Sequence, residues 1–195
     1  MVLLVPVLAG IALGWGYARW QGEAWHPPAF QSVWLVILGF LPQVLSIYLP
    51  SIRQHFPDKL ASFSLIFSQL LLLAFTIINR RLPGMYLLML GLGCNLLVIL
   101  LNGGLMPLSV ETASRLWSDP EFAALEVGKR IHAGSKDILL QGEQIILPWL
   151  ADRFVSPAFI PVRFAYSLGD VFISLGAFYL LLKGAMLAPH PEQEI

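Results

Sequence analysis

Two aspartates make the arrangement in this chain that looks most like chemistry. Asp170 sits inside the last apolar run, Ala165-Tyr-Ser-Leu-Gly-Asp170-Val-Phe-Ile-Ser-Leu-Gly176. A carboxylate is costly to place in hydrocarbon, so there it needs a partner, water or a task. Asp152 lies eighteen positions earlier, in Leu150-Ala-Asp152-Arg153. Two carboxylates brought together can share a proton, which splits their pKa values and makes one an acid and the other a base. The chemistry to expect from the pair is therefore acid–base work or ion binding.

Each acid also has a plainer reading. Ser167-Leu-Gly-Asp170 fits a capping box, with Ser167 as N-cap and the acid at N3, which would start the last helix near Leu168 rather than at Pro161. Asp152 beside Arg153 reads as a solvated ion pair. Asn95 and Asn102, seven apart, share a helix face. Buried amides hydrogen-bond between helices, or Asn102 lines the same pocket as Asp170. The candidate ligand-binding residues are therefore Asn102, Ser167 and Asn95, beside the candidate catalytic Asp152 and Asp170. Gln43 and Gln69 read as interhelical glue.

Other chemistries find no foothold. His26, His55, His132 and His190 are dispersed, with no pair at metal-ligand spacing. No glycine-rich phosphate loop follows a strand, and no Gly-x-Ser-x-Gly elbow occurs. Neither a metal nor another cofactor is expected. Cys94, the single cysteine, cannot form an intrachain disulfide and reads as a packing residue.

The elements that must position these residues are apolar. The 195 residues are 57% hydrophobic and only 12% charged, with mean hydropathy +0.72. An ordinary soluble domain carries about 25% charged residues, so the composition predicts a single integral-membrane domain over residues 1–195. Twelve Lys and Arg balance twelve Asp and Glu, which removes any electrostatic case for nucleic acid. The lipid bilayer is the expected partner.

A spanning helix needs about 20 mostly apolar residues. Five stretches are read as spans: Val2–Ala18, Val33–Leu49 with a bend at Pro42-Gln43, Leu60–Ile78, Pro83–Leu101, and a stretch within Pro161–Leu182. The first lacks a cleavage-site pattern and reads as retained rather than as a signal peptide. Asp119-Pro120-Glu121 predicts a short helix running toward Ile131. Ile138–Leu150 is apolar but interrupted, and reads as an interfacial helical segment between spans four and five. The expected fold is thus an all-α polytopic bundle of about five spans. Arg19, Arg80, Arg81 and Lys183 on one side, with Arg53 and Lys59 on the other, favour an outside N-terminus and a cytoplasmic C-terminus; Arg115, Lys129, Arg130, Lys136, Arg153 and Arg163 argue the other way if the long segment between spans four and five counts as a short loop. Trp20, Trp25, Trp34 and Trp117 fall near span ends, as interfacial anchors do. Gly10-Ile-Ala-Leu-Gly14 matches the small-xxx-small packing pattern.

Leu101-Asn-Gly-Gly-Leu-Met-Pro107, Lys136-Asp-Ile-Leu-Leu140, Leu147-Pro-Trp-Leu-Ala-Asp152 and Tyr166-Ser-Leu-Gly-Asp170 resemble a bacterial family of small polytopic membrane proteins of unknown function. That resemblance implies a multi-pass protein of the bacterial cytoplasmic membrane and brings no activity. Residues 148–178 are also similar to lipoprotein signal peptidase (signal peptidase II), a membrane aspartyl peptidase. Asp152-Arg153 matches the end of its first motif, and Tyr166-Ser-Leu-Gly-Asp170, with Ile173 and Gly176 in step, looks like its second. Trp149 and Ser167 stand where that family has asparagines. The likeness implies an aspartate-dyad hydrolase acting on a membrane-bound peptide or lipid-linked substrate. The alternatives are a transporter or small-ligand binding protein using Asp170 and Asn102, and a non-catalytic membrane assembly component.

Overall fold

The computed structural model describes residues 3–48, 57–132, 134–157, 160 and 162–183. Arg53, His55, Pro161 and His190, and the side chain of Gln43, lie outside that description. Among the described residues five longer helices form: α1 (Leu4–Gln21), α2 (Trp34–Tyr48), α3 (Asp58–Ile78), α4 (Met85–Leu101) and α7 (Leu168–Lys183). Their main contacts run α1 to α7, α7 to α4, α4 to α3, and α3 to α2.

Between α4 and α7 the chain builds a small mixed module. It contains β1 (Met106–Ser109), α5 (Val110–Leu116), α6 (Asp119–Ala123), β2 (Asp137–Leu140), β3 (Phe154–Val155) and β4 (Ala165–Tyr166). β1 and β2 are parallel, with Met106 opposite Asp137 and Ser109 opposite Leu140; β3 and β4 are antiparallel. Leu108, Ala113 and Leu139 form the module's core. Leu65, Val98, Ile99, Met106 and Leu150 form a second core that joins the module to α3 and α4. An ion pair from Arg130 to Asp58, at 2.6 Å, ties the module to the start of α3.

The five-span, all-α expectation is overturned. Among the described residues only α3, at 21 residues, is long and apolar enough to cross a membrane. α1, α2, α4 and α7 have 18, 15, 17 and 16 residues, and at 1.5 Å per residue the shortest covers well under the ~30 Å of a bilayer core. Local chemistry trims them. Ser167 caps α7 and moves its start to Leu168. Gly84, in the left-handed region at φ 83°, delays α4 to Met85. Arg19 and Gln21 make the last turn of α1 polar.

The interfacial helix expected over Ile138–Leu150 does not form either. Asp137–Leu140 joins β1 as a strand, and a single 3-10 turn, Gly142–Gln144, follows. The helix begun at Asp119 stops at Ala123 instead of continuing toward Ile131. Beyond it the Gly128 amide donates to Leu139 O at 2.7 Å, committing that stretch to β2.

α4 and α7 run antiparallel at close range, and glycine is the reason. Gly84 lies against Gly176, and Gly91 against Gly169. A Cβ at Gly169 would overlap Asn95 Oδ1 and come within 2.7 Å of Gly91 O. α1 meets α7 in the same way through Gly10 and Gly14, whose added Cβ atoms would stand 2.9 Å from Phe178 O and 2.7 Å from Leu181 O. The Gly10–Gly14 pattern is thus a helix-packing face. Trp25 fastens the following segment to α7 by donating to Leu181 O at 3.2 Å.

Candidate functional site

The close approach of α4 and α7 brings Asn95, Ser167 and Asp170 together. Ser167 Oγ accepts from the Asp170 amide at 3.0 Å, and the Asp170 Oδ2 accepts from the Ser167 amide at 3.1 Å. This is a reciprocal capping box at the first turn of α7, where a carboxylate also suits the helix dipole. Asn95, from α4, completes the network: its Nδ2 donates to Asp170 Oδ1 at 2.9 Å, and its Oδ1 accepts from the Ser167 hydroxyl at 2.8 Å. Ser167 and Asn95 are buried, and Asp170 is half-buried.

Asp152 is positioned by the module. Its amide donates to Pro107 O at 3.2 Å, and a bridge pairs it with Leu108 on the free edge of β1. Its side chain is 1% exposed. Oδ2 accepts from Lys136 Nζ at 2.6 Å, while Oδ1 is buried with no hydrogen-bond partner among the described residues. The same ammonium, on a side chain 47% exposed over its whole length, donates to Asp137 Oδ1 at 3.0 Å. Asp137 is held in turn by Ser135, whose hydroxyl donates to its Oδ2 at 3.1 Å and accepts from its amide at 3.0 Å. Lys136 is the residue before β2, so β1 and its two neighbours deliver cation and acid to one place.

Electrostatics couple this group to the first. Burial is the largest influence on Asp152 and pushes its carboxyl up to about 7, against the pull of Lys136 and with help from Asp137 and Asp170. Burial alone would lower the pKa of Lys136. The carboxylates of Asp137, Asp152 and Asp170 outweigh it and hold the ammonium above its ordinary value. Asp170 is thus close enough to be felt at both members of the pair.

The remaining predicted residue goes elsewhere. The Asn102 amide donates to Val98 O at 2.8 Å and to Ile146 O at 2.9 Å, and its Oδ1 accepts from the Ile146 amide at 2.9 Å. It is a latch between the end of α4 and the module, with no group left over for the Asp170 network. The Gly104 amide beyond it is also engaged within the fold, donating to Ile99 O at 2.8 Å.

The structure therefore joins Asn95, Ser167 and Asp170 in one network and Lys136, Asp137 and Asp152 in another, with the charge of Asp170 acting on the second. Among the described residues, the side chains of Asp152 and Asp170 have separate hydrogen-bond partners. Arg153 lies exposed over the Phe154 ring at 5.6 Å, so the expected Asp152–Arg153 ion pair is replaced by Lys136–Asp152. Among the described residues no three His, Cys, Asp or Glu side chains are grouped to hold a metal ion. Sequence reasoning missed Lys136, Asp137 and Ser135. The available signal was a lysine directly before an apolar strand that opens on an aspartate.

Residues 28–182 match a family described as a family of unknown function, DUF5317. The chain belongs to that family. No curated protein and no solved structure matches it, so the likeness to signal peptidase II rests on residues 148–178 of this sequence. Family membership carries no activity, and the chemistry has to be argued from the side chains.

Proposed function

We propose that the protein is an integral membrane component that holds a folded polar module against the bilayer, with several helices facing lipid. The observation that carries this reading is the inverted polarity of the helices. On α3, Ser68 is 0% exposed while Phe63 is 65% exposed. Ser68, Thr76, Asn95, Ser167 and Ser174 are buried, whereas Leu8, Trp15, Ile37, Leu70, Leu100 and Leu175 point outward. Water would drive the opposite arrangement. Lipid offers apolar side chains no reason to hide, and leaves small residues and internal hydrogen bonds to join the helices. Glycine contacts between α4 and α7 and between α1 and α7 fit the same physics. Exposed apolar side chains recur on all five longer helices, as a membrane or partner face would require.

In this reading the side chains of Asp170, Ser167, Asn95 and Asn102 are structural. Each is engaged within the fold, and the two networks fasten α4 to α7 and α4 to the module. The test is alkaline carbonate extraction of membranes from cells expressing the full chain. Retention in the pellet supports the reading, and release into the supernatant refutes it.

An aspartate-dependent hydrolase is the second reading, favoured by the unpartnered Oδ1 of Asp152 and the reach of the Asp170 charge. For that chemistry Lys136 would have to release Asp152, so that both acids face one water beside a membrane-bound peptide or lipid-linked bond. Cleavage of a lipid-anchored peptide by purified protein, lost in both Asp152→Asn and Asp170→Asn, supports it. Cleavage that survives either substitution removes it.

A further inference from the structure

Asp152 is a buried acid with one oxygen committed and one left over. Oδ2 has Lys136 at 2.6 Å, while Oδ1 is buried with no partner among the described residues. A carboxylate needs hydrogen-bond donors at both oxygens when it is taken out of water, and an uncompensated one carries a large penalty. Placing a proton on Oδ1 removes the charge that burial penalises. Lys136 does not suffer when this happens, because Asp137 Oδ1 stands 3.0 Å from the same ammonium.

We propose that Asp152 is a reversible proton-binding site, with the proton carried on Oδ1, and that its charge state sets how tightly Lys136 clamps the start of β2 to the edge of β1. The uptake is simple: solvent supplies the proton, the carboxylate becomes a carboxylic acid, and no other bond is made or broken. In the ionised state Lys136 is shared between a buried and a more accessible carboxylate. In the protonated state it passes to Asp137, and the cross-strand ion pair is released.

Among the described residues, three charged groups act on Asp152 from the elements around it. Lys136 precedes β2, Asp137 opens β2, and Asp170 belongs to the first turn of α7. The neighbouring stretch of β1, Pro107 and Leu108, carries no charge. The burial of Asp152 sets its carboxyl near neutrality, where such a site can respond to physiological changes. The inference does not depend on the bilayer reading, since all of its parts except Asp170 lie in the module.

The experiment is a pH titration of the purified full-length protein by infrared difference spectroscopy, following the carbonyl band of a buried protonated carboxylic acid. The expected result is a band that vanishes with a midpoint near neutral pH and is missing in Asp152→Asn. Lys136→Met removes the opposing cation and should raise the midpoint by about 1–3 pH units, the usual effect of an opposite charge at this range. Asp137→Asn removes a like charge and should lower it. If Asp152→Asn does not fold, the opposite movements in Lys136→Met and Asp137→Asn decide the matter. A wild-type protein with no such band through the neutral range overturns the proposal. So does a midpoint that moves the same way in both charge variants.

Discussion

Replacing Asp170 with asparagine probes whether the α4–α7 network does the structural work described above. Both carboxylate oxygens of Asp170 accept, one from Asn95 Nδ2 at 2.9 Å and one from the Ser167 amide at 3.1 Å. Asparagine keeps one oxygen and turns the other into a donor, which then faces a donor. Turning Asn95 over to compensate would set its own NH2 against the Ser167 hydroxyl, which already accepts from the residue 170 amide. One half-buried polar group is therefore left unmatched, at a cost of about 1–3 kcal/mol. Loss of the negative charge at the helix start adds about 0.3–1 kcal/mol. For a chain of this size about 1 kcal/mol lowers Tm by ~2–4 °C. Thermal unfolding in mild detergent, followed by the six tryptophans, should therefore fall by several degrees. In an Asn95→Ala background the same substitution should cost less, because one of the mismatched donors is gone. A coupling of about 0.5–3 kcal/mol between the two sites is expected for residues in one network. Effects that add to within about 0.3–0.5 kcal/mol would refute the network as a unit.

Gly169→Ala should separate α4 from α7, since its Cβ would overlap Asn95 Oδ1; a loss of about 1–3 kcal/mol is expected in the same assay. Gly93→Ala on the same α4 meets nothing within 4 Å, and should be neutral or slightly stabilising through helix propensity. Asn102→Ala removes three hydrogen bonds to Val98 and Ile146, and limited proteolysis should then cut sooner around Ile146. The pH dependence of stability carries a definite sign. Asp152 rises from its ordinary 3.8 to about 7 on folding, so between those values the native state holds more protons than the unfolded one. Stability contributed by Asp152 must therefore fall as pH rises through that window. Lys136, held above its ordinary 10.5, keeps its contribution throughout the same window. The difference in Tm between wild type and Asp152→Asn should shrink or reverse from pH 4 to pH 7, and a difference that grows would contradict the burial of that carboxyl.

What the sequence by itself determined is what depends on near neighbours. Long apolar runs placed α1, α2, α3, α4 and α7 close to where they form, because a helix satisfies its own backbone within four residues. Ser167 and Asp170, three apart, announced a cap that needs nothing beyond its own turn. Gly10 and Gly14 marked a packing face by spacing alone. The lengths of the helices were less legible: whether the run before Leu168 continues as helix depends on Ser167 choosing to cap, and that trims α7 below a full crossing. Only the tertiary structure decided the rest. β1 and β2 have four residues each, with no periodicity to separate them from loops, and their pairing joins Met106 to Asp137 across thirty intervening residues. Asn102 meets Ile146 rather than Asp170 because the module folds back over the end of α4. Asp152 was visible as an acid, but its partner was not. Arg153 adjoins it in sequence, and Lys136 holds it in space, because the bridge to Leu108 sets Asp152 on the edge of β1 while pairing with β1 brings up β2 and the lysine before it.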